Sequence, residues 1–244
     1  MKKILISQSE PMNIAPYAQI EEKYGAKIDF RPFFIVEPLT SREFRSQRIN
    51  ILDYTAIVFS ARRTIDAFFQ LCDELRVKVP DTMKYFCSTE AVAVYLQKHI
   101  VYRKRKIFFG TGTPDSIIAQ ITPKHCGENF LIATSDSSNS DALANLFAKS
   151  GLKFKLSVFV KTVSQDLHDL KLSDYDLTVL YNPSDVKSLF ENFPDYKADT
   201  KFLTFGHQIV KTMEEAGLPI EMKGPAAEIP SVAKALEVWL EANK

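Results

Sequence analysis

The stretch Asp174–Phe190, DYDLTVLYNPSDVKSLF, decides how this chain is organised, because an earlier stretch repeats its pattern without a gap. The earlier stretch is Asp53–Phe69, DYTAIVFSARRTIDAFF, and about half the chain length separates the two. Each copy contains an apolar strand, a short polar turn and then apolar residues at helical spacing. A period this long indicates two similar domains rather than a solenoid. The copies are identical at Asp53/Asp174, Tyr54/Tyr175, Val58/Val179 and Phe69/Phe190, and both apolar at Ile65/Val186 and Phe68/Leu189.

Apolar strands alternate with helical stretches along most of the remaining chain, which predicts parallel sheets built from right-handed crossovers. Pro32 and Pro38 flank an extended apolar segment, which we interpret as a crossing between domains. Two strands precede this crossing and three follow Ser173, so only an insertion completes both sheets. Strands of the inserted part are predicted to begin at Ala56, Lys84, Lys106, Phe130 and Lys155.

The predicted fold class is therefore α/β, with two flavodoxin-like parallel-sheet domains, the second inserted into the first through two extended linkers. The predicted bounds are 1–34 plus 172–244 for the first domain, 53–160 for the second, and 35–52 and 161–171 for the linkers.

Composition excludes several classes of function. With 31 basic and 30 acidic residues among 244, the chain has no general excess of positive charge, which argues against binding to duplex nucleic acid. The N-terminal apolar run is too short for a signal peptide, and no segment is apolar enough to cross a membrane, so we predict a cytoplasmic protein. The three cysteines and four histidines lack ligand spacing, which predicts no metal site.

The turns that follow the predicted strands are short and rich in hydroxyl and other small side chains. In an open parallel sheet, ligands bind beyond the carboxyl ends of the strands, where helix N-termini present free N–H groups. Such turns can hold anions, although the same residues also cap helices routinely. Five turns of this kind favour a polyanionic ligand in a cleft. The candidate binding residues are Ser60, Ala61, Arg62, Cys87, Ser88, Thr89, Ser135, Asp136, Asn182, Pro183, Ser184, Gly206, His207 and Gln208.

The pair Arg62-Arg63 lies at a predicted helix N-terminus, where cations are disfavoured by about 0.3–1 kcal/mol. A bound anion would remove this conflict, and two solvated arginines would explain it equally well. The chain contains no GxGxxG, no Walker loop and no GxSxG elbow, so nucleotide binding and serine hydrolysis lack support.

The sequence resembles the uroporphyrinogen-III synthase family over essentially its whole length. The resemblance is carried by IVFSARRTIDAFF, KYFCSTEAVAVYLQ, VLYNPSDVKSLFENF, FLTFGHQIVKTMEEAGLPIE and PSVAKALEVWL, which occur in the family's order. It implies cyclisation of hydroxymethylbilane to uroporphyrinogen III, with loss of water and inversion of ring D, in a cleft between two domains. It also implies no metal or organic cofactor, a monomer, and at most a transient partner, hydroxymethylbilane synthase.

Three positions depart from the family pattern. The family's tyrosine near the end of the fifth inserted strand is replaced by Val160, and no single catalytic residue is assigned. Asn182 stands where the family usually has serine, and Ile209 stands where it commonly has threonine. These departures leave open a non-catalytic tetrapyrrole-binding or regulatory homologue. A third possibility is a two-domain sensor of small molecules unrelated to porphyrins.

Overall fold

The computed structural model describes residues 1–137, 140–197 and 200–243, and of His207 it describes only the backbone. The chain divides into two compact units. Unit 1 comprises Met1–Ile35 and Val163–Lys244, and unit 2 comprises Val36–Thr162. Unit 2 is thus inserted into unit 1 along the sequence. The prediction of an α/β fold with two mostly parallel sheets is confirmed.

Unit 1 is built on a sheet in which the described strands have the order β11-β10-β9-β1-β2, with parallel pairing throughout. Counted within the unit, this is the flavodoxin-like order 2-1-3-4-5. The strands are β1 (Lys3–Ile6), β2 (Lys27–Phe30), β9 (Leu177–Leu180), β10 (Lys201–Phe205) and β11 (Ile220–Gly224). The helices are α1 (Ala15–Tyr24), α7 (Pro183–Asn192), α8 (His207–Glu215) and α9 (Val232–Ala242).

Unit 2 contains a sheet whose described strands have the order β3-β8-β7-β4-β5-β6. Its strands are β3 (Phe34–Pro38), β4 (Ala56–Phe59), β5 (Lys84–Cys87), β6 (Ile107–Phe109), β7 (Asn129–Ser135) and β8 (Lys153–Ser164). Its helices are α2 (Ser41–Ser46), α3 (Arg62–Glu74), α4 (Glu90–Tyr95), α5 (Pro114–Ile118) and α6 (Asp141–Lys149). Strands β4 to β8 pair in parallel, and numbered 1 to 5 along the chain they lie in the order 3-2-1-4-5. The flavodoxin-like order 2-1-3-4-5 therefore holds for unit 1 alone.

Both sheets are buried on their two faces, as parallel sheets require. In unit 1, one face packs Trp239 and Leu236 of α9 against β1 and β9. The other face packs Leu189 of α7 and Ile209 of α8 against the same sheet. This double burial explains why the central strands consist almost entirely of apolar residues. It also leaves their carboxyl ends and the following turns as the positions open to ligands.

The segments predicted to be linkers contain regular structure, which corrects the strand count. Phe34–Pro38 is a strand at the edge of the unit 2 sheet, and β8 continues to Ser164 beyond its predicted end at Val160. Pro38 is compatible with this position because an edge strand does not need every N–H group for pairing. The remainder of 35–52 includes α2. Thr40 and Glu43 form a capping box at the N-terminus of this helix.

Candidate functional site

A cavity of about 590 Å³ lies in unit 2 at the carboxyl ends of β4, β5, β6 and β7. This is the edge of a parallel sheet where ligands are expected. Its walls combine hydroxyl-bearing turn residues with an apolar base formed by Ile117, Ile132 and Leu143. Hydroxyl, amide and cationic groups on its rim come from four different turns. The rim includes Ser60, Ala61, Arg63, Thr64, Ser88, Thr89, Gly112, Thr113 and Ser135.

The N-terminus of α3 adjoins this cavity and has no side-chain cap. Ala61 occupies the N-cap position and has no side chain that could accept a hydrogen bond. Within the described chain, the backbone N–H groups of residues 60–64 have no hydrogen-bond acceptor. Unpaired donors at the positive end of a thirteen-residue helix form a site suited to a carboxylate.

The two arginines at this helix start have different surroundings. The guanidinium of Arg62 lies 5.4 Å from the centre of the Tyr95 ring, and the Tyr95 hydroxyl donates to Asp66 at 2.7 Å. Arg63 lines the cavity. Arg62 was predicted as a binding residue because it ends the turn Ser60-Ala61-Arg62, and the sequence alone did not rank it against Arg63. Arg63 is therefore better placed than Arg62 to contact a molecule in the cavity.

Two threonines cap the neighbouring helices while keeping a donor available. Thr89 Oγ accepts from the Val92 amide, and Thr113 Oγ accepts from the Ser116 amide, both at 3.3 Å. A hydroxyl that accepts an amide can still donate its own proton. Ser88 is less available, because its hydroxyl donates to the Ser60 carbonyl at 3.0 Å. The cavity therefore presents hydroxyl donors beside the open end of α3.

The turn Gly110–Thr113 was absent from the residues selected by sequence. A Cβ on Gly110 would lie 2.3 Å from Ser116 Oγ, so no side chain fits at this position. Gly112 has a φ of +104°, a conformation that favours glycine. The pattern Gly-Thr-Gly-Thr-Pro between a predicted strand and helix is the signal that could have identified this turn.

Two residues of unit 2 that were predicted to bind ligand have other surroundings. Cys87 is fully buried, and burial raises the pKa of its thiol to about 12, so it is neither exposed nor ionised near neutral pH. The Asp136 carboxylate accepts from the Thr162 amide at 2.9 Å and from the Thr162 hydroxyl at 3.1 Å. Asp136 thus fixes the end of β8, whereas Ser135 beside it lines the cavity.

Val160 also lines the cavity, and its side chain is 3% exposed. It contributes no hydroxyl at the position where the family resemblance suggests a tyrosine. Among the residues that the structure describes, no tyrosine lines this cavity. The hydroxyl groups that the described chain contributes to this cavity therefore belong to serine and threonine side chains.

Unit 1 places its candidate residues at the ends of β9 and β10. Asn182 caps α7, with its Oδ1 accepting from the Ser184 amide at 3.2 Å. Gly206 precedes α8 without a side-chain cap, and a Cβ there would lie 2.6 Å from the Tyr181 carbonyl oxygen. Gln208 is exposed on the first turn of α8, and the predicted contact through the His207 side chain lies outside the described atoms.

Unit 1 also contains a residue that sequence reasoning missed. Asp185 is 1% exposed and accepts hydrogen bonds at Oδ2 from the Tyr181 amide (2.8 Å) and the Asn182 amide (3.0 Å). Burial raises the pKa of this carboxyl to about 6, and the two amides act in the opposite direction. The Ser7 hydroxyl also lowers the pKa, although no hydrogen bond between the two side chains has good geometry.

Fold and site together define an α/β protein of two parallel-sheet units, with a cavity in unit 2 whose base is apolar and whose hydroxyl-rich rim is suited to a carboxylate ligand. Groups of three or more metal-ligating side chains are not found in the described ranges, nor is a helix there long and apolar enough to cross a bilayer. The model of the uroporphyrinogen-III synthase HemD family matches residues 15–233, and the chain belongs to this family. The family is that of the enzyme EC 4.2.1.75, which acts on a tetrapyrrole in porphyrin biosynthesis.

Two solved structures have the same fold. A uroporphyrinogen-III synthetase from Helicobacter pylori aligns with a TM-score of 0.59 and 18% identity, covering 99% of this chain and 100% of that chain. A mutant uroporphyrinogen III synthase from Thermus thermophilus aligns with a TM-score of 0.58 and 14% identity, with the same coverage. No curated protein sequence matches the chain.

Proposed function

We propose that this chain cyclises hydroxymethylbilane to uroporphyrinogen III, with loss of water and inversion of ring D. The observation that carries the proposal is the open N-terminus of α3 beside Arg63, in a cavity of a chain that belongs to the uroporphyrinogen-III synthase family. A linear tetrapyrrole with acetate and propionate side chains supplies the carboxylates that such a site can hold.

Substrate carboxylates would be bound first by backbone amides and Arg63. Charge-assisted hydrogen bonds of this kind contribute about 1.5–3 kcal/mol each. The proposed contacts in unit 2 are the amides of Ser60 to Thr64, the Arg63 guanidinium and the hydroxyls of Thr89 and Thr113. In unit 1, the proposed contact is the Gln208 amide at the uncapped start of α8, because the Gly206 amide already donates to the Gly224 carbonyl at 2.9 Å. Placement of the substrate between the two units stays a prediction.

The chemical step then requires departure of the terminal hydroxyl as water and attack by the correct carbon of ring D. Because Val160 carries no hydroxyl, Thr113 or Thr89 is the proposed hydrogen-bond donor to the leaving oxygen. Orientation of the reactive azafulvene is expected to supply most of the rate, since effective molarities of about 10⁵ M or more follow from fixed geometry. Amide donors would stabilise the charge that develops.

A non-catalytic tetrapyrrole-binding homologue is the second candidate, and Val160 is the observation that favours it. It would keep the amide and arginine contacts and bind the product without accelerating its formation. A transient complex with hydroxymethylbilane synthase, a monomeric state and a cytoplasmic location are further predictions from the sequence.

Product analysis separates the two candidates. The pure protein is mixed with freshly generated hydroxymethylbilane, and the uroporphyrinogen isomers are quantified after oxidation. The enzyme predicts that type III dominates and that its fraction rises with protein concentration. Type I alone, the product of spontaneous closure, would leave only the binding function. A two-domain sensor unrelated to porphyrins would show neither turnover nor binding of uroporphyrinogen.

A further inference from the structure

The repeat places Thr64 of unit 2 and Asp185 of unit 1 at the same position of the same β-turn-α motif. Ser60 and Ala61 of unit 2 correspond to Tyr181 and Asn182 of unit 1. At these two positions, both copies have a backbone amide at the start of the helix. What differs is the side chain that reaches back toward those amides.

In unit 1, these amides already have acceptors. The amides of Tyr181 and Asn182 donate to Asp185 Oδ2 at 2.8 and 3.0 Å. The Ser184 amide donates to Asn182 Oδ1, and the Asp185 amide donates to the Asn182 carbonyl. Pro183 has no N–H group. The start of α7 thus offers no donor from these residues to an external anion.

In unit 2, the corresponding donors have no such acceptor within the described chain. Thr64 directs its hydroxyl to the Ala61 carbonyl at 2.7 Å, and this leaves the amides of Ser60 and Ala61 unpaired. Ser60 and Ala61 line a cavity, whereas the Asp185 carboxyl is buried and forms no ion pair with any described residue. Asp185 is held as a bound carboxylate would be, by two amides and the dipole of a ten-residue helix.

We infer that Asp185 is an internal occupant of the carboxylate site at the start of α7, and that it excludes substrate carboxylates from this copy of the motif. Asp185 is then a specificity-determining residue, because it restricts carboxylate binding at the repeated turn to the α3 copy. A second carboxylate at α7 would meet a buried like charge and would find no free amide. The identity of the excluded carboxylate as that of a tetrapyrrole rests on the proposed function.

A reciprocal exchange of the two side chains tests this inference. Thr64→Asp places a carboxylate beside the open amides of unit 2, and Asp185→Thr removes the carboxylate from unit 1. Asp185→Asn is the matched control, because its carbonyl oxygen can still accept from both amides. Each full-length protein is titrated with acetate and with malonate while amide shifts of Ser60, Ala61, Tyr181 and Asn182 are followed by nuclear magnetic resonance.

The wild-type protein should respond at Ser60 and Ala61 and not at Tyr181 and Asn182, and Asp185→Asn should behave in the same way. Thr64→Asp should weaken the response at Ser60 and Ala61 by about tenfold or more, because like charges then share one site. Asp185→Thr should create a saturable response at Tyr181 and Asn182. If Asp185→Thr fails to fold, the titrations of the wild-type protein and of Thr64→Asp still test the inference.

Saturable acetate shifts at Tyr181 and Asn182 in the wild-type protein would overturn the inference. An undiminished response at Ser60 and Ala61 in Thr64→Asp would also overturn it. Failure of the proposed function is a separate outcome, since it appears as type I uroporphyrinogen alone in the product assay and leaves the acetate titrations unchanged.

Discussion

The two copies of the β-turn-α motif both begin with a fully buried strand of four residues, but they differ in how the N-terminus of the following helix is capped. At α3, the N-cap is Ala61, the amides are unpaired within the described chain, and a cavity adjoins them. At α7, Asn182 and Asp185 form a capping box that satisfies the amides from within. The two copies therefore differ in whether the described chain itself supplies acceptors for the backbone donors at the helix start.

We call the α3 copy of the motif the open copy and the α7 copy the closed copy. The largest effect is expected from a change in the open copy. Arg63→Ala removes the guanidinium that lines the cavity and should lower kcat/KM for type III formation by about 100-fold, close to 3 kcal/mol, as expected for a charge-assisted contact. Initial rates measured with freshly generated hydroxymethylbilane provide the test.

Arg62→Ala is the informative comparison, because Arg62 lies over the Tyr95 ring. Arg62→Ala should lower kcat/KM by less than about fivefold, because it changes only the long-range electrostatic field at the cavity. Arg105, which is exposed before β6, provides a charge-matched control. Equal losses for Arg62→Ala and Arg63→Ala would contradict the assignment of Arg63.

The closed copy should show its difference as a dependence of stability on pH. The pKa of Asp185 is raised to about 6 in the fold from an ordinary value of 3.8, so the folded state binds this proton more tightly than the unfolded chain does. Its contribution to stability is fully present below about pH 4 and is lost as the pH rises through about 6. The loss is on the order of 2–3 kcal/mol.

Asp185→Asn should remove that component. Urea unfolding is measured at a series of pH values. Between about pH 4 and 7, the free energy of unfolding of the variant should rise relative to that of the wild-type protein, with equal m-values. Parallel curves for the two proteins over this range would mean that Asp185 ionises without cost in the fold.

A smaller effect is expected from the cap of the closed copy. Asn182→Ala removes the Oδ1 acceptor of the Ser184 amide and should destabilise the protein by about 1 kcal/mol. The shift in the urea midpoint measures this change. A midpoint equal to that of the wild-type protein would show that the Asn182 side chain is dispensable for α7.

The smallest effect is expected from giving the open copy a cap. Ala61→Asn should stabilise α3 by up to about 1 kcal/mol. It should also slow type III formation, because the new side chain competes with the ligand for the backbone N–H groups at the start of α3. Thermal unfolding and initial rates are measured on the same preparation. A variant that is more stable and fully active would show that these amides do not bind substrate.

Much of the fold was predictable because apolar period and turn residues agree along most of the chain. Strand β5 was predicted with the bounds observed, Lys84–Cys87, and the insertion of one sheet into the other followed from counting strands. Strand β3 was not predicted, because the prolines on either side of Phe33–Val36 indicate a crossing as readily as an edge strand. Only pairing with β8 distinguishes the two.

The candidate site was predictable only as a set of turns. Sequence identified the turn at Ser60 but could not separate Arg62 from Arg63, since that depends on packing against Tyr95. It could not identify Asp185 as buried, because an acid at the third position of a helix usually indicates an exposed capping box. Backbone amides leave no mark in sequence, so the difference between α3 and α7 is visible only as hydrogen bonds.

The most direct measurement is a structure of this protein with uroporphyrinogen III bound. We predict a carboxylate of this product within about 2.7–3.2 Å of amide nitrogens in 60–64, with Arg63 in contact and Asp185 still bonded to the amides of Tyr181 and Asn182. A carboxylate bound at the start of α7 with Asp185 displaced, or no carboxylate at the start of α3, would contradict it.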